Sequence, residues 1–205
     1  MASKEEGAEH RTATALMDAA ERLLITRGQA GVSTRRVAEE AGQPHGLVRY
    51  HFGSLEGLML RTLERATARI TDRQRALYGG NETFLRKWRT AMGLIDEDLE
   101  EGFPKIVAEL FAKAWNEPVY REGLTRTMND FTDLLTDAVT DAASEYRHEL
   151  PAQDARALAT LIRTFQLGIL IERLAGIDIG HAELLAAIDR RLADEQKEDE
   201  ARPTA

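Results

Sequence analysis

Residues 33–60 read STRRVAEEAGQPHGLVRYHFGSLEGLML and carry the clearest structural signal in this chain. Ser33 is a residue type that caps helix N-termini, and Gly42 suits the left-handed conformation in which many helices end. Pro44 fits the first turn of a second helix, where its missing N–H costs no hydrogen bond. Ser54 then caps a third helix. This pattern predicts a helix-turn-helix, whose second helix lies in the major groove of DNA.

The candidate DNA contacts are residues in and around this motif that can hydrogen-bond, stack or let the backbone approach closely. Two short helices joined by a glycine turn also occur in other all-α proteins, so the pattern alone leaves a structural role open. The predicted contacts to bases or base edges are Gln43, His45, Leu47 and Tyr50. The predicted phosphate contacts are Ser33, Thr34, Arg35, Arg49 and His51, and Pro44 and Gly46 complete the DNA-binding set.

The segment resembles the N-terminal DNA-binding domain of the TetR family of one-component transcriptional regulators. That family shows the pattern Thr-x-x-x-Ile-Ala-x-x-Ala-Gly-Val-Ser-x-Gly-x-Leu-Tyr-x-His-Phe-x-Ser-Lys-Glu-x-Leu. The resemblance covers roughly residues 11–60, and its matching positions are Thr34, Val37, Ala38, Ala41, Gly42, Gly46, Val48, His51, Phe52, Ser54, Glu56 and Leu58.

Two positions depart from the family pattern. Arg49 stands where the family usually has tyrosine, and it preserves a side chain that can contact phosphate. Leu55 stands where the family usually has lysine. That change removes a phosphate contact at the start of the third helix, and the alternative is that Leu55 packs beneath the recognition helix.

Charge is distributed unevenly along the chain. The formal net charge is −8, which taken alone argues against a nucleic-acid partner. Residues 10–75, however, carry eleven basic against seven acidic side chains, whereas residues 76–205 carry fifteen against twenty-five. A basic N-terminal part on an acidic body suits a DNA-binding domain joined to a regulatory domain, because only the former must approach phosphate.

Nearly the whole chain reads as helix, since alanine, leucine, glutamate and arginine abound and prolines stand at segment edges. The helices predicted outside the motif span about 10–27, 54–78, 82–101, 104–116, 118–148, 151–175 and 180–194, followed by a frayed charged tail. We therefore predict an all-α fold with an N-terminal three-helix helix-turn-helix domain over residues 10–55. The resemblance implies that residues 56–205 form a helical ligand-binding and dimerisation domain.

An effector cavity is predicted within this second domain, because a helical body offers mostly apolar sites between its helices. The segment that follows residue 87 holds both tryptophans and most of the phenylalanines. For most of these side chains an ordinary core role is the simpler interpretation. The candidate ligand-binding residues are Trp88, Met92, Ile95, Phe103, Val107, Phe111, Trp115, Met128 and Phe131.

The last two predicted helices carry the expectation of a homodimer. The first of them is apolar over more than one face, and such a helix must be buried on several sides. It is either a central helix of a monomer or, as the resemblance implies, half of a four-helix interface with a second subunit. Its apolar residues are Leu158, Leu161, Ile162, Phe165, Leu167, Ile169, Leu170, Ile171 and Leu174, and Leu184, Leu185, Ile188 and Leu192 supply the partner stripe.

Several classes of site find no support in the sequence. The chain has no cysteine, which excludes disulfides, thiolate zinc sites and cysteine nucleophiles. Its five histidines form no ligand pair at helical spacing, and no nucleophile-elbow, phosphate-loop or dinucleotide glycine motif occurs. We predict no catalytic residue, no metal and no cofactor. The polar first ten residues and the absence of a long apolar run predict a cytoplasmic protein without membrane contact.

The function expected from these features is a homodimeric, ligand-responsive transcriptional regulator that is not an enzyme. It would repress from a palindromic double-stranded DNA operator and be released by a small, largely apolar effector. The alternatives are an all-α protein-interaction module or an enzyme whose pocket leaves no signature in the sequence.

Overall fold

The computed structural model describes residues 2–201, and within that range the fold is all-helical, as predicted. A short 3-10 helix, Gln29–Gly31, follows the first α-helix. The α-helices are α1 Ala2–Arg27, α2 Thr34–Glu40, α3 Gly46–Phe52, α4 Leu55–Tyr78, α5 Phe84–Glu101, α6 Phe103–Asn116, α7 Pro118–Glu145, α8 Ala152–Leu174 and α9 His181–Glu200.

The described chain divides into two compact units. The first unit contains the residues up to Arg69 together with Lys105–Leu124, and the second contains Ile70–Pro104 and the residues from Thr125 onward. The two domains predicted from the sequence, residues 10–55 and 56–205, are defined by function, whereas the compact units are defined by packing. The predicted division therefore stays a prediction. Its last four residues, 202–205, lie outside the described residues.

The core of the first unit joins α1, α2, α3 and α4 through one apolar cluster. Burying each leucine or valine side chain contributes about 1.5–3 kcal/mol to folding. The helix α3 has only seven residues, so its stability comes from this packing rather than from its own hydrogen bonds. The buried members of the cluster are Leu16, Ala19, Ala20, Leu23, Val37, Val48 and Leu58.

The two predicted N-caps of the motif are present. Ser33 Oγ accepts a hydrogen bond from the Arg36 N–H at 3.3 Å, and Ser54 Oγ accepts one from the Gly57 N–H at 3.0 Å. Each bond satisfies a donor that a helix N-terminus would otherwise leave unpaired. A Cβ at Gly57 would lie 2.2 Å from the carbonyl oxygen of Phe52, so only glycine permits this approach of α4 to the end of α3.

The turn between α2 and α3 is formed as the sequence predicts. Gly42 has φ of +63°, a conformation that favours glycine. Its N–H donates to the Glu39 carbonyl at 3.2 Å, and the Gln43 N–H donates to the Ala38 carbonyl at 2.9 Å. This pair of bonds is a Schellman motif, and it fixes the direction in which the chain enters α3.

The end of α7 differs from the prediction, which continued this helix to His148. The helix stops at Glu145 in a second Schellman motif, with Arg147 at φ of +57°. The Arg147 N–H donates to the Ser144 carbonyl at 3.2 Å, and the His148 N–H donates to the Ala143 carbonyl at 2.8 Å. Because arginine rather than glycine takes the left-handed position, no glycine marks the end of this helix in the sequence.

Helix α9 is longer than predicted and reaches Glu200 instead of residue 194. Contacts to the loop after α7 order its charged final turns. Glu195 Oε2 lies 2.9 Å from His148 Nε2, and Asp199 Oδ1 lies 3.0 Å from Arg147 Nε. Helix α1 likewise begins at Ala2 rather than at His10.

Two apolar clusters form the core of the second unit. One contains Leu135 from α7 and Ala159 from α8, and the other contains Ile95, Ile169 and Leu170. Two ion pairs on the surface of this unit join α5 to α8 and to α9: Asp96–Arg173 at 2.6 Å and Arg89–Asp189 at 2.6 Å. Across residues 2–201, none of the helices combines the length and apolarity needed to cross a bilayer.

Candidate nucleic-acid interface and cavity

The outer face of α3 and the preceding turn carry most of the predicted DNA contacts at the surface. Val48 is buried in the core cluster, and this fixes which face of the helix points outward. Tyr50 is 68% exposed. The other predicted contacts that are exposed are Arg35, Pro44, His45, Gly46 and Arg49, whereas Ser33, Thr34, Gln43, Leu47 and His51 are half-buried.

Some of the predicted contacts also have structural roles. Ser33 Oγ is the N-cap acceptor of α2, and Leu47 packs against the core cluster of the first unit. The guanidinium of Arg35 donates to Glu39 Oε1 at 2.7 Å, and this carboxylate raises the pKa of Arg35. The pair is solvent-exposed, so its stability contribution is small and Arg35 can exchange Glu39 for another anion.

Tyr50 is held by two contacts that the sequence did not predict. Its hydroxyl donates a hydrogen bond to Glu9 Oε1 at 2.8 Å. The edge of its ring meets the ring of His51, with centroids 4.9 Å apart and planes at 86°. The hydrogen bond to the Glu9 carboxylate raises the pKa of Tyr50. Glu9 escaped prediction because it lies 41 residues from Tyr50 along the chain, and no local pattern relates residues that far apart.

Some arginines of the N-terminal part pair with acids of the same unit. Arg65 lies 2.7 Å from Asp18 Oδ1 and 2.9 Å from Glu21 Oε2, and Arg69 also pairs with Glu21. These arginines join α4 to α1, so they stabilise the unit rather than present free charge to a partner. Both acids are already counted among the seven of residues 10–75, so the basic excess of four charges in that segment is unchanged by these pairs.

Leu55 is half-buried and packs against the core cluster of the first unit. This contact supports the second of the two interpretations considered for its departure from the family pattern. The side chain adds apolar packing beneath α3, at the position where a lysine would extend toward solvent.

The second unit contains an apolar cavity of about 620 Å³ between α5, α7, α8 and α9. A volume of this size suits a small organic molecule. Its lining residues are Phe84, Trp88, Val139, Ala142, Ala143, Tyr146, His148, Leu150, Leu158, Leu161, Ile162, Phe165, Leu184, Ile188, Arg191, Leu192 and Glu195.

A few polar groups interrupt this apolar lining. Tyr146 is buried, and burial raises the pKa of its hydroxyl. That hydroxyl lies near the backbone of Leu85 but has no partner at hydrogen-bonding geometry among the described residues. His148 and Arg191 both contact Glu195, and the bond from His148 lowers the pKa of that carboxyl. The residues that line the cavity thus include a tyrosine whose buried hydroxyl has no hydrogen-bond partner among the described residues, and the charged side chains of Arg191 and Glu195.

Of the nine predicted ligand-binding residues, only Trp88 is among those that line this cavity. Trp115 is 82% exposed and Phe111 is 37% exposed, while Phe103 and Val107 are buried. The predicted positions in the neighbouring apolar clusters are Met92, Ile95 and Phe131, and Met128 contacts Arg163 through its sulfur. The prediction missed the contributions of α8 and α9, whose apolar residues were assigned to a dimer interface.

The apolar residues of α8 and α9 divide into two groups. Ile169 and Leu170 are buried in the core of the second unit, so Leu170, counted with the interface stripe in the sequence, is a core residue of the single chain. Leu158, Leu161 and Leu184 are 41%, 64% and 45% exposed. These three leucines form an apolar surface that is uncovered in the single chain.

Within residues 2–201, no cluster of three or more histidine, aspartate or glutamate side chains has an arrangement that could hold a metal ion.

Comparison with known proteins gives a consistent picture. Residues 16–62 match the family model described as bacterial regulatory proteins, tetR family. A structure from Rhodococcus sp., described as a TetR-family transcriptional regulator, is similar with a TM-score of 0.69 and 26% identity over 89% of this chain and 97% of that chain. A transcriptional regulator from Streptomyces coelicolor A3(2) is similar with a TM-score of 0.66 and 26% identity, covering 88% of this chain and 97% of that one.

A further structural relative was solved with a small molecule. This transcriptional regulator from Saccharomonospora viridis, in complex with choline, has a TM-score of 0.71 and 19% identity over 90% of this chain and 95% of that chain. No curated protein matches the sequence. The resemblance deduced from residues 11–60 is confirmed by the family model, and the fold similarity extends over most of the chain.

Proposed function

From the premise that residues 16–62 are a TetR-family DNA-binding domain, within a chain that has the fold of TetR-family transcriptional regulators, we propose a ligand-responsive repressor. It acts as a homodimer on a palindromic operator and is released by a small, largely apolar effector. Residues 10–55 serve DNA binding, and residues 56–205 serve effector binding and dimerisation. Its partner is chromosomal DNA, so the cytoplasm is its proposed compartment.

The observation that carries this proposal is the exposed face of α3 within the segment that matches the family model. His45, Arg49 and Tyr50 are exposed there, and they offer an imidazole, a guanidinium and a phenol to the floor and walls of a major groove. The core cluster holds the short helix rigidly from behind. A rigid helix that presents such groups is what direct readout of base edges requires.

The cavity of the second unit is the proposed effector site. Its walls are aliphatic and aromatic, and the buried Tyr146 hydroxyl has no hydrogen-bond partner among the described residues. An effector with an apolar body and one hydrogen-bond acceptor would pair this hydroxyl and fill the volume. The choline complex of the Saccharomonospora viridis relative supports a small-molecule effector without identifying this one.

Dimerisation is proposed through α8 and α9. Leu158, Leu161 and Leu184 are exposed on these helices, and an apolar surface left uncovered in a single chain marks an interaction site. A two-fold dimer also supplies the second α3 that a palindromic operator needs. The same three leucines line the cavity, so dimerisation and effector binding use adjoining surfaces.

The effector would act by binding one dimer state more tightly than another. Only such a difference in affinity can shift the equilibrium between states. The favoured state would space its two α3 helices wrongly for successive major grooves, and the operator would be released.

The direct test is an electrophoretic mobility shift with the DNA that flanks the gene of this protein, across a range of salt concentrations. Sequence-selective binding that weakens with salt supports the regulator. Absence of binding at low salt would favour a protein-interaction module or an enzyme instead. A thermal-shift screen of small apolar molecules then seeks the effector, because a ligand specific for the native state raises the melting temperature by mass action.

A further inference from the structure

The contact between Tyr50 and Glu9 carries chemistry beyond the presence of a DNA-binding helix. Tyr50 is 68% exposed on α3, yet its hydroxyl hydrogen is directed to Glu9 Oε1 at 2.8 Å. The His51 ring contacts the Tyr50 ring at a centroid separation of 4.9 Å. Two neighbours therefore fix the position of this phenol, one at its ring and one at its hydroxyl.

The hydrogen bond also sets the polarity of the hydroxyl. A tyrosine hydroxyl has one hydrogen to donate and oxygen lone pairs that accept. A carboxylate only accepts, so the hydrogen of Tyr50 is committed to Glu9, and the lone pairs remain for other partners. Phosphate oxygens also only accept, so Tyr50 could donate to them only by giving up its bond to Glu9.

In the major groove, the groups that donate to an acceptor are the exocyclic amines of adenine and cytosine. Guanine presents acceptors at the corresponding positions, and thymine presents an acceptor and a methyl group. An acceptor held on α3 therefore distinguishes bases by polarity.

We propose that Glu9 is a positioning residue that holds Tyr50 as a hydrogen-bond acceptor, so that Tyr50 selects a base bearing a major-groove amine, adenine or cytosine. This inference rests on the proposed function, since it requires α3 to lie in a major groove. Glu9 acts through Tyr50 and does not itself contact the base.

The sign of the charge at Glu9 is consistent with a role in selectivity rather than in affinity. A carboxylate beside the recognition helix repels phosphate and weakens binding to every DNA sequence. Such a group raises specificity when it lowers the affinity for the wrong partner as well as favouring the right one. Glu9 has this effect because it holds the Tyr50 hydroxyl hydrogen, which could otherwise be donated to a phosphate in any DNA sequence.

The test is selection from a duplex DNA library randomised over about 20 base pairs, followed by affinity measurements on the selected site and its single-base variants. The wild type is compared with the single variants Glu9→Ala, Glu9→Gln and Tyr50→Phe and with the double variant that combines Glu9→Ala and Tyr50→Phe. Glu64→Ala is the control for net charge, because Glu64 is a half-buried acid that pairs with Arg61 on α4.

The expected result is localised to one base pair in each half-site. Glu9→Ala and Tyr50→Phe should each reduce the preference there for adenine or cytosine by about fivefold, the equivalent of one neutral hydrogen bond. The double variant should lose no more than either single variant, because the two residues act as a unit. Glu9→Gln keeps an acceptor oxygen and should retain the preference, and Glu64→Ala should leave every position unchanged.

Several outcomes would overturn the inference while leaving the proposed function intact. The first is that Glu9→Ala selects the same DNA motif as the wild type at every position. The second is that the losses of base preference in the two single variants add up in the double variant. Equal loss in Glu9→Gln and Glu9→Ala would assign the effect to charge and overturn it as well. If the wild type enriches no motif at all, the proposed function fails first, so the two failures are distinguishable.

Discussion

The indole of Trp88 stacks on the ring of Phe165, with centroids 6.2 Å apart and planes inclined by 19°. The two rings come from α5 and α8, and both line the cavity of the second unit. Since Trp88 is 4% exposed and Trp115, the other tryptophan, is 82% exposed, the two indoles report on opposite environments.

The stack gives a fluorescence prediction. In Trp115→Phe, the remaining Trp88 emission should be blue-shifted and protected from acrylamide. Adding Phe165→Ala should make Trp88 more accessible to the quencher and lower the free energy of unfolding by about 1–3 kcal/mol, less than for a fully buried phenylalanine, because the ring already borders empty space. In Trp88→Phe, which retains only Trp115, the fluorescence should be quenched readily by acrylamide whether or not Phe165→Ala is also present. Unchanged quenching of Trp88 after the loss of Phe165 would contradict this account of the cavity wall.

The dimer interface is tested by a pair of leucines on α8. Leu161→Glu places a charge on an exposed residue, so the single chain should keep its helical circular dichroism while the dimer dissociates in sedimentation velocity. Leu170→Glu instead buries an unpaired carboxylate in the core next to Ile95 and should destabilise the fold itself by several kcal/mol. A stable dimer of Leu161→Glu would remove α8 from the interface.

The recognition helix is tested by His45→Ala. The imidazole is exposed, so its removal should leave the free energy of unfolding within about 0.5 kcal/mol of the wild type. If it contacts a base edge, operator binding should weaken by about 1–3 kcal/mol, concentrated at one operator position. His45 is the N-cap residue of α3, and Val48→Ala within α3 is the control: the Val48 side chain is buried, so its truncation should lower the free energy of unfolding. A loss of affinity on His45→Ala that is the same for every operator variant would exclude a base contact.

Leu55→Lys tests the departure at the start of α4. Because Leu55 packs on the core cluster, lysine should lower the free energy of unfolding by about 1–3 kcal/mol, through lost packing and a cation near the helix N-terminus. The slope of log affinity against log salt should stay unchanged. A slope steeper by about 0.9 would instead show a new phosphate contact.

Tyr120 gives a prediction at alkaline pH. Its side chain is buried, and desolvation raises its pKa from 10.0 to about 12. Between those values the unfolded tyrosine ionises while the folded one stays neutral, so stability is fully present below pH 10 and is lost as pH rises toward 12. The full loss attributable to this residue, reached once the pH exceeds the folded-state pKa, is about 3 kcal/mol. Denaturant titrations at about pH 9 and about pH 11 should show a smaller decrease for Tyr120→Phe than for the wild type. Equal decreases would assign the alkaline transition to other tyrosines.

Local sequence signals determined the helix-turn-helix. The Ser33 and Ser54 caps and the Gly42 turn are each set by the chemistry of one residue and its immediate neighbours, which is why they could be predicted. The all-helical class followed in the same way from residue propensities and apolar spacing. Helix ends were less predictable where an ordinary residue took an unusual conformation, as Arg147 does at the end of α7.

Tertiary structure decided which apolar residues of the body are core, cavity wall or exposed surface. Helical periodicity indicates that Leu161 and Leu170 lie on apolar stripes of α8. The residues that pack against each stripe come from helices distant in sequence, and this packing buries Leu170 and leaves Leu161 exposed. The same holds for Tyr50, whose exposure follows from the pattern of α3. Its partner Glu9 lies 41 residues away along the chain, and no short-range rule relates two residues at that separation.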